Sequence, residues 1–272
     1  ISTRGQVQTG FRKMIAGFVI SGTGTKQVLI RAIGPTLGGF GVPGTLENPL
    51  LELFKSGATI PDFSNDDWGT LDPGNITNAS TRLGAFPLGD GSEDSVLLLS
   101  LAPGGYTAQV SGVAEGIGVG LVEVYDGDDP ALGPATADVI NISTRGEIGT
   151  LSDVLIAGFV INGSVPKHVL IRGIGPTLGG FGVPATIADP KIELFAARNG
   201  AQAPPFMINN DWEDDDGAAI AAAGAASGGF PLEAGSKDAA LLIWLEPGTY
   251  TAKISGNDGG TGVGLVEVYE VP

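Results

Sequence analysis

Apolar residues in this chain come in short runs dense in Val, Ile and Leu, and each run is closed by Gly, Pro, Asp or Asn. Leu121-Val-Glu-Val-Tyr125 sets a glutamate between apolar neighbours, the two-residue period of a half-buried strand. Runs of this kind predict strands at 2–8, 14–20, 27–33, 50–55, 95–101, 105–111 and 118–125. A second set is predicted at 139–148, 154–161, 168–174, 191–196, 239–245, 249–255 and 262–269. Ser95–Leu101, then Ala-Pro-Gly-Gly, then Tyr106–Ser111 has the form of a hairpin, and Leu245-Glu-Pro-Gly-Thr-Tyr250 repeats it. Helical spacing is confined to Ala218–Ala226 and a weaker counterpart, Ile76–Leu83. Many short strands without long helices predict a β-sandwich.

The two sets of strands are copies. Ile1-Ser-Thr-Arg-Gly5 returns at 142–146, and Val28–Pro43 returns at 169–184 with Ala32 changed to Gly173. Gly118–Tyr125 returns unchanged at 262–269. A repeat of this length is a whole domain, not a unit of a solenoid. The expected fold is therefore all-β, with two tandem homologous sandwich domains, Ig-like or jelly-roll-like. Residues 1–126 form the first, 127–138 a Pro-, Gly- and Asp-rich linker, and 139–272 the second. Copy two enters its first strand through Val139-Ile-Asn141, while copy one begins at Ile1 without that lead-in. A shortened first strand and an open sheet edge are expected there, and an open edge invites pairing with another chain.

Composition narrows the function. Glycine is abundant, 45 residues in 272, against an ordinary share of about 7%. There is no cysteine, so disulfides and thiolate chemistry are excluded. A net charge of −16 with 14 scattered basic residues argues against nucleic acid as a partner. No apolar run approaches the ~20 residues of a membrane-spanning helix.

Several segments invite a chemical role. His168 is the single histidine and aligns with Gln27, so the shared domain needs no imidazole there. Ile33-Gly-Pro-Thr-Leu-Gly-Gly-Phe-Gly41 is glycine-rich but lacks the Gly-Lys-Ser/Thr ending of a phosphate loop. It is expected to be a shaped turn with Leu37 and Phe40 packed inward. Ser64-Asn-Asp-Asp-Trp68 and Asn209-Asn-Asp-Trp212 offer Asp66, Asp67, Asn210 and Asp211 as weak calcium ligands, and their tryptophans as platforms for a sugar. The alternative there is an Asx-type turn whose Trp caps the core. Arg31/Arg172, Glu52/Glu193 and Glu123/Glu267 sit in apolar strands and should pair as Arg with Glu across strands, the alternative being an inter-subunit role for those that are exposed. Asn75, Asn78, Asn141 and Asn162 begin Asn-x-Ser/Thr triplets, candidates for glycans. No protected carboxylate pair stands out, so no catalytic, cofactor-binding or firm metal residue is assigned.

Ile-Ser-Thr-Arg-Gly, Ile-Ala-Gly-Phe-Val-Ile (15–20 and 156–161), Val-Leu-Ile-Arg-x-Ile-Gly-Pro-Thr-Leu, Asp-Trp, Leu-x-Pro-Gly-x-Tyr-Thr-Ala and Gly-Leu-Val-Glu-Val-Tyr run through both copies. Together they resemble a tandem β-sandwich domain of secreted and surface proteins of environmental bacteria. The domain also resembles the protomers of pilus-like helical extracellular fibrils. The resemblance implies an extracellular or cell-surface structural protein, not an enzyme, that binds itself head to tail through strand complementation or domain docking. Ile1, Ser2, Thr3, Arg4 and Val271 are the expected assembly residues. The alternative is a carbohydrate-binding or adhesive module that uses the Asp-Trp loops, with calcium ordering them.

Overall fold

A computed structural model describes residues 2–129, 131, 133, 135–197 and 204–272. Its strands are β1 (Ser2–Val7), β2 (Met14–Gly22), β3 (Lys26–Ile33), β4 (Pro49–Lys55), β5 (Phe63–Asn65), β6 (Ser95–Leu101), β7 (Gly104–Gly112) and β8 (Gly118–Asp126). The second set is β9 (Ala137–Ile148), β10 (Leu155–Ile161), β11 (Lys167–Ile174), β12 (Pro190–Ala196), β13 (Met207–Asn209), β14 (Ala239–Leu245), β15 (Gly248–Gly256) and β16 (Gly262–Glu270). Helix α1 (Pro73–Arg82) follows β5 and helix α2 (Gly217–Ala226) follows β13. Asp72 and Asp216 cap the two helices by accepting from the backbone N–H of Asn75 and Ala219. Each predicted strand is present to within two residues. The three-residue strands β5 and β13 are additional, too short to show a period in sequence.

Two compact units divide the chain, one holding Ser2 and Arg4–Ile142, the other Thr3 and Ser143–Pro272. In the first unit one sheet runs β1-β8-β3-β6 and the other β2-β7-β4-β5. The second unit repeats this as β9-β16-β11-β14 and β10-β15-β12-β13. Apart from the hairpins β4-β5 and β12-β13, consecutive strands alternate between the two sheets in the order of a jelly roll, which resolves the Ig-like or jelly-roll-like choice. The hairpin expectation is corrected by the same order. β6 pairs with β3, and β7 with β2 and β4, so the Pro-Gly turn is an arch from one sheet to the other. Both runs are apolar because both face one core.

The open edge expected in the first repeat is also corrected. β1 pairs with β8, and the residues ahead of repeat two lie beside β2. Ala137 is buried in the first core, with Val139 and Ile142 packed against it. The linker begins pinned: Lys26 Nζ lies 2.7 Å from Asp126 and 2.8 Å from Asp128.

Each sandwich has a second, outer core. In the first unit the inner one joins Phe18, Ile30, Leu53, Val110 and Val124 between the sheets. The outer one joins Leu29 and Val96 to Ile76 of α1 and to Trp68. Arg31 is fully buried on this outer side. The register sets Arg31 opposite Glu123, and its Nε and Nη2 donate to Glu123 Oε2 at 2.7 and 2.5 Å. Its Nη1 donates to the Phe86 carbonyl at 2.7 Å, and the Phe86 ring covers the guanidinium at 4.4 Å. Arg172 repeats this with Glu267, the Phe230 carbonyl and the Phe230 ring. Tyr125 and Tyr269 donate their hydroxyls to the second oxygens of these glutamates at 2.8 and 2.9 Å. Glu52 and Glu193 lie away from this cluster and pair with Lys13 and Lys253.

A buried pair broken on one side leaves a bare charge. Glu123→Ala is expected to cost about 3–5 kcal/mol in urea unfolding, and replacing Arg31 and Glu123 together by apolar residues far less. A double variant as unstable as the single one would refute this account. The phenols give a second test. Burial, then the adjacent glutamate charge, raises Tyr125 and Tyr269 well above the ordinary 10.0. Folded protein keeps these protons where unfolded chain loses them, so stability holds below about pH 10 and falls as pH rises beyond it. Phenolate absorbance of both tyrosines should appear only with unfolding; their titration near pH 10 in folded protein would contradict this.

Candidate functional site

The longest string shared by the two copies runs from a buried strand into a glycine-rich turn. Pro35–Phe40 and Pro176–Phe181 form short 3-10 turns, each closed by a left-handed glycine, Gly41 at φ 77° and Gly182 at φ 76°. A side chain at Gly34 would meet the Leu46 carbonyl at 2.0 Å, so that position also needs glycine. The exposed amides of such a turn suit an anion, but the protein supplies its own. Asp94, fully buried, accepts from the Gly34 N–H at 2.8 Å, from the Thr36 hydroxyl and from Ser92 Oγ at 2.8 Å. Asp238 does the same for Gly175, Thr177 and Ser236. An internal carboxylate therefore sits where a phosphate loop would hold its ligand. The signal in sequence is the Gly-Ser-x-Asp shared by 91–94 and 235–238.

One expectation for this turn fails. Leu37 is buried, but Phe40 is 64% exposed and Phe181 62% exposed. Each rests edge-on or tilted against Phe86 or Phe230, whose other contact is the buried arginine. Both copies thus present one phenylalanine to solvent on a braced turn.

The Asp-Trp loops hold no platform. Trp68 and Trp212 are each only 7% exposed. Trp68 Nε1 donates to the Gly89 carbonyl and Ser92 Oγ, and its backbone N–H to the Asp94 carbonyl. Asn65 and Asn209 shape these loops: each accepts from the N–H of the second residue of the neighbouring strand, Val96 or Ala240, and donates to the carbonyl of Asp67 or Asp211. The tryptophans cap the outer core. Of the weak calcium candidates, Asp66 is exposed, Asp67 and Asn210 are half-buried, and Asp211 accepts from Lys237 Nζ at 2.9 Å. Among the described residues no three His, Asp or Glu side chains gather as a metal site.

Ser2, Thr3 and Arg4 lie within β1, and Thr3 is buried. Ile1 lies outside the described residues. The Val271 N–H donates to the His168 carbonyl at 2.8 Å, beside the outer core of the second unit. Asn75 and Asn78 are exposed on α1, and Asn162 is exposed in the turn after β10. Asn141 is half-buried within β9, with its Oδ1 sealed from solvent.

A further concavity was not evident in sequence. At one end of the second sandwich a cavity of about 520 Å³ opens between the arch joining β14 to β15 and the segment leading into β13. Pro204, Pro205, Phe206, Trp244, Glu246 and Tyr250 line it. Trp244 is 67% exposed, and its ring stacks on His168 at 4.7 Å with the planes 8° apart. The missed signal was a tryptophan at a solvent-facing strand position where the other copy has Ser100.

No protein-family model matches the chain. No curated protein matches it. Solved structures similar to it include the crystal structure of the STIV MCP, at 14% identity and a TM-score of 0.23, over 99% of this chain and 92% of that one. A second is the quasi-atomic model of the PBCV-1 virus capsid, at 9% identity and a TM-score of 0.21, with the same coverage of 99% and 92%. Likenesses at this level carry no argument about fold or function. Among the described residues no helix is long and apolar enough to cross a membrane.

Asp94→Ala strips the acceptor from the Gly34 and Thr36 N–H groups and from the Thr36 and Ser92 hydroxyls. A loss of about 2–4 kcal/mol is expected, with proteolytic cleavage appearing within residues 34–42. An unchanged urea midpoint would show that the turn holds without its carboxylate.

Proposed function

We propose that this chain is a structural, non-enzymatic subunit that binds copies of itself head to tail in an extracellular filament at the cell surface. The observation that carries the reading is the pair Phe40 and Phe181, exposed in both repeats at 64% and 62%. Contact with a partner would take apolar area of each ring out of water, a favourable contribution to docking. Duplication of the ring on a rigid turn fits a module that meets equivalent modules. Contact through these rings leaves β1 in its sheet, so docking fits better than donation of residues 1–8. A contact between unlike surfaces gives an open fibre where its rotation does not close into a ring. The net charge of −16 would keep finished fibres apart at low salt. Glycans on Asn75, Asn78 or Asn162 would leave the two sandwich cores undisturbed.

The adhesive, carbohydrate-binding reading loses its Asp-Trp loops, because their tryptophans are core residues. Negative-stain electron microscopy across a concentration series, with and without calcium, tests the filament. Regular fibres are expected from the 1–272 protein and short or absent fibres from the Phe40→Ser, Phe181→Ser double variant. Monomers at every concentration would sink the proposal, and fibres indifferent to the double variant would sink this choice of contact.

A further inference from the structure

The two repeats differ most tellingly around the cavity at the end of the second sandwich. Where the second has Trp244, Phe206, Ala196 and His168, the first has Ser100, Asp62, Lys55 and Gln27. In the first repeat Asp62 folds back to accept from the Lys55 N–H at 2.8 Å. In the second, a phenylalanine replaces that carboxylate and the lysine becomes alanine. A polar end has become an aromatic, concave one while the scaffold stayed the same.

We infer that this cleft binds a neutral oligosaccharide. Trp244 offers one broad face to solvent, and His168, directly opposite it across β11 and β14, backs the other face. A ring held in place this way is pre-organised, and the C–H face of a pyranose stacks on such a surface. Phe206, Pro204 and Pro205 supply apolar walls, and the Glu246 carboxylate on the arch supplies an acceptor for sugar hydroxyls. Among the described residues the lining contains no lysine or arginine, and the net charge of −16 disfavours an anionic polysaccharide. A cavity of about 520 Å³ accommodates a few sugar rings. The inference does not depend on filament formation, since Phe40 and Phe181 take no part in it.

The test is calorimetric titration of the full chain with cellohexaose, maltohexaose and chitohexaose, each to about 10 mM, a range that captures millimolar affinity. Polygalacturonate serves as the anionic control. At least one neutral hexasaccharide is expected to bind, and polygalacturonate is not. Trp244→Ser and Phe206→Asp install side chains that the first repeat already accommodates. Each should weaken binding at least tenfold with the unfolding temperature held close to that of the parent. Glu246→Ala, which copies Ala102, should weaken it several-fold. Failure of all three neutral sugars, or binding indifferent to Trp244→Ser, would overturn the inference. So would sedimentation showing self-association that Trp244→Ser abolishes, since the cleft would then be a seat for a second copy.

Discussion

A guanidinium removed from water must find a partner for each of its donors and for its charge. Arg31 and Arg172 meet that demand on the outer side of each unit's sheet, and much of the outer layer is placed by it. The cross-strand glutamate neutralises the charge, the Phe86 or Phe230 carbonyl takes the next donor, and the phenyl ring covers the plane. That carbonyl belongs to the segment leaving the helix, so the arginine fixes where the helix layer closes on the sheet. In the second unit α2 and the chain after it come within 3.6 Å and 3.1 Å of the guanidinium at Gly224 and Gly229, distances measured from where a side chain would begin. The same phenylalanine then braces the exposed ring of Phe40 or Phe181. One buried cation thus links sheet, helix and surface turn.

A second internal charge does comparable work a few residues along the chain, where the strand ends. Asp94 and Asp238 occupy the amide-rich mouth of the glycine turn, which fixes the turn and denies it to an outside anion. Both devices are duplicated without loss, because each is a closed set of buried partners in which a single change leaves a charge or donor unsatisfied. Positions facing water carry no such constraint. Ser100 against Trp244, and Asp62 against Phe206, are differences the cores do not feel, which is why a new surface could arise in one repeat alone.

Several features were open to reading in sequence because they rest on local period. The glutamate between apolar neighbours in Leu121–Tyr125 marked β8, and Ala218–Ala226 marked α2 almost to its ends. The repeat, visible as identical strings, carried each assignment from one copy to the other. The errors share a cause. Ser95–Ser111 has hairpin chemistry at its turn, yet whether two adjacent strands pair or face each other depends on partners far along the chain. Trp68 and Phe40 are both large aromatic residues near loops; Phe40 is exposed where it was expected to pack inward, and Trp68 takes the core-capping place, one of the two that its loop left open. Burial is decided by what other segments bring over them, Ser92 and Gly89 for the tryptophan and nothing beyond one ring edge for the phenylalanine.

Read alone, the sequence shows a β-rich chain built twice from one repeat, acidic and free of cysteine, with arginines and glutamates in apolar strands that were expected to pair across strands. Those conclusions follow from composition, from side-chain period and from the cost of burying an unpaired charge, all of which are local or additive. The jelly-roll order of the strands, the use of Ala137–Ile142 beside β2 and the cleft around Trp244 emerge from long-range packing. Each of these depends on which distant segments come together, and a residue's neighbours in sequence do not specify its neighbours across a sandwich.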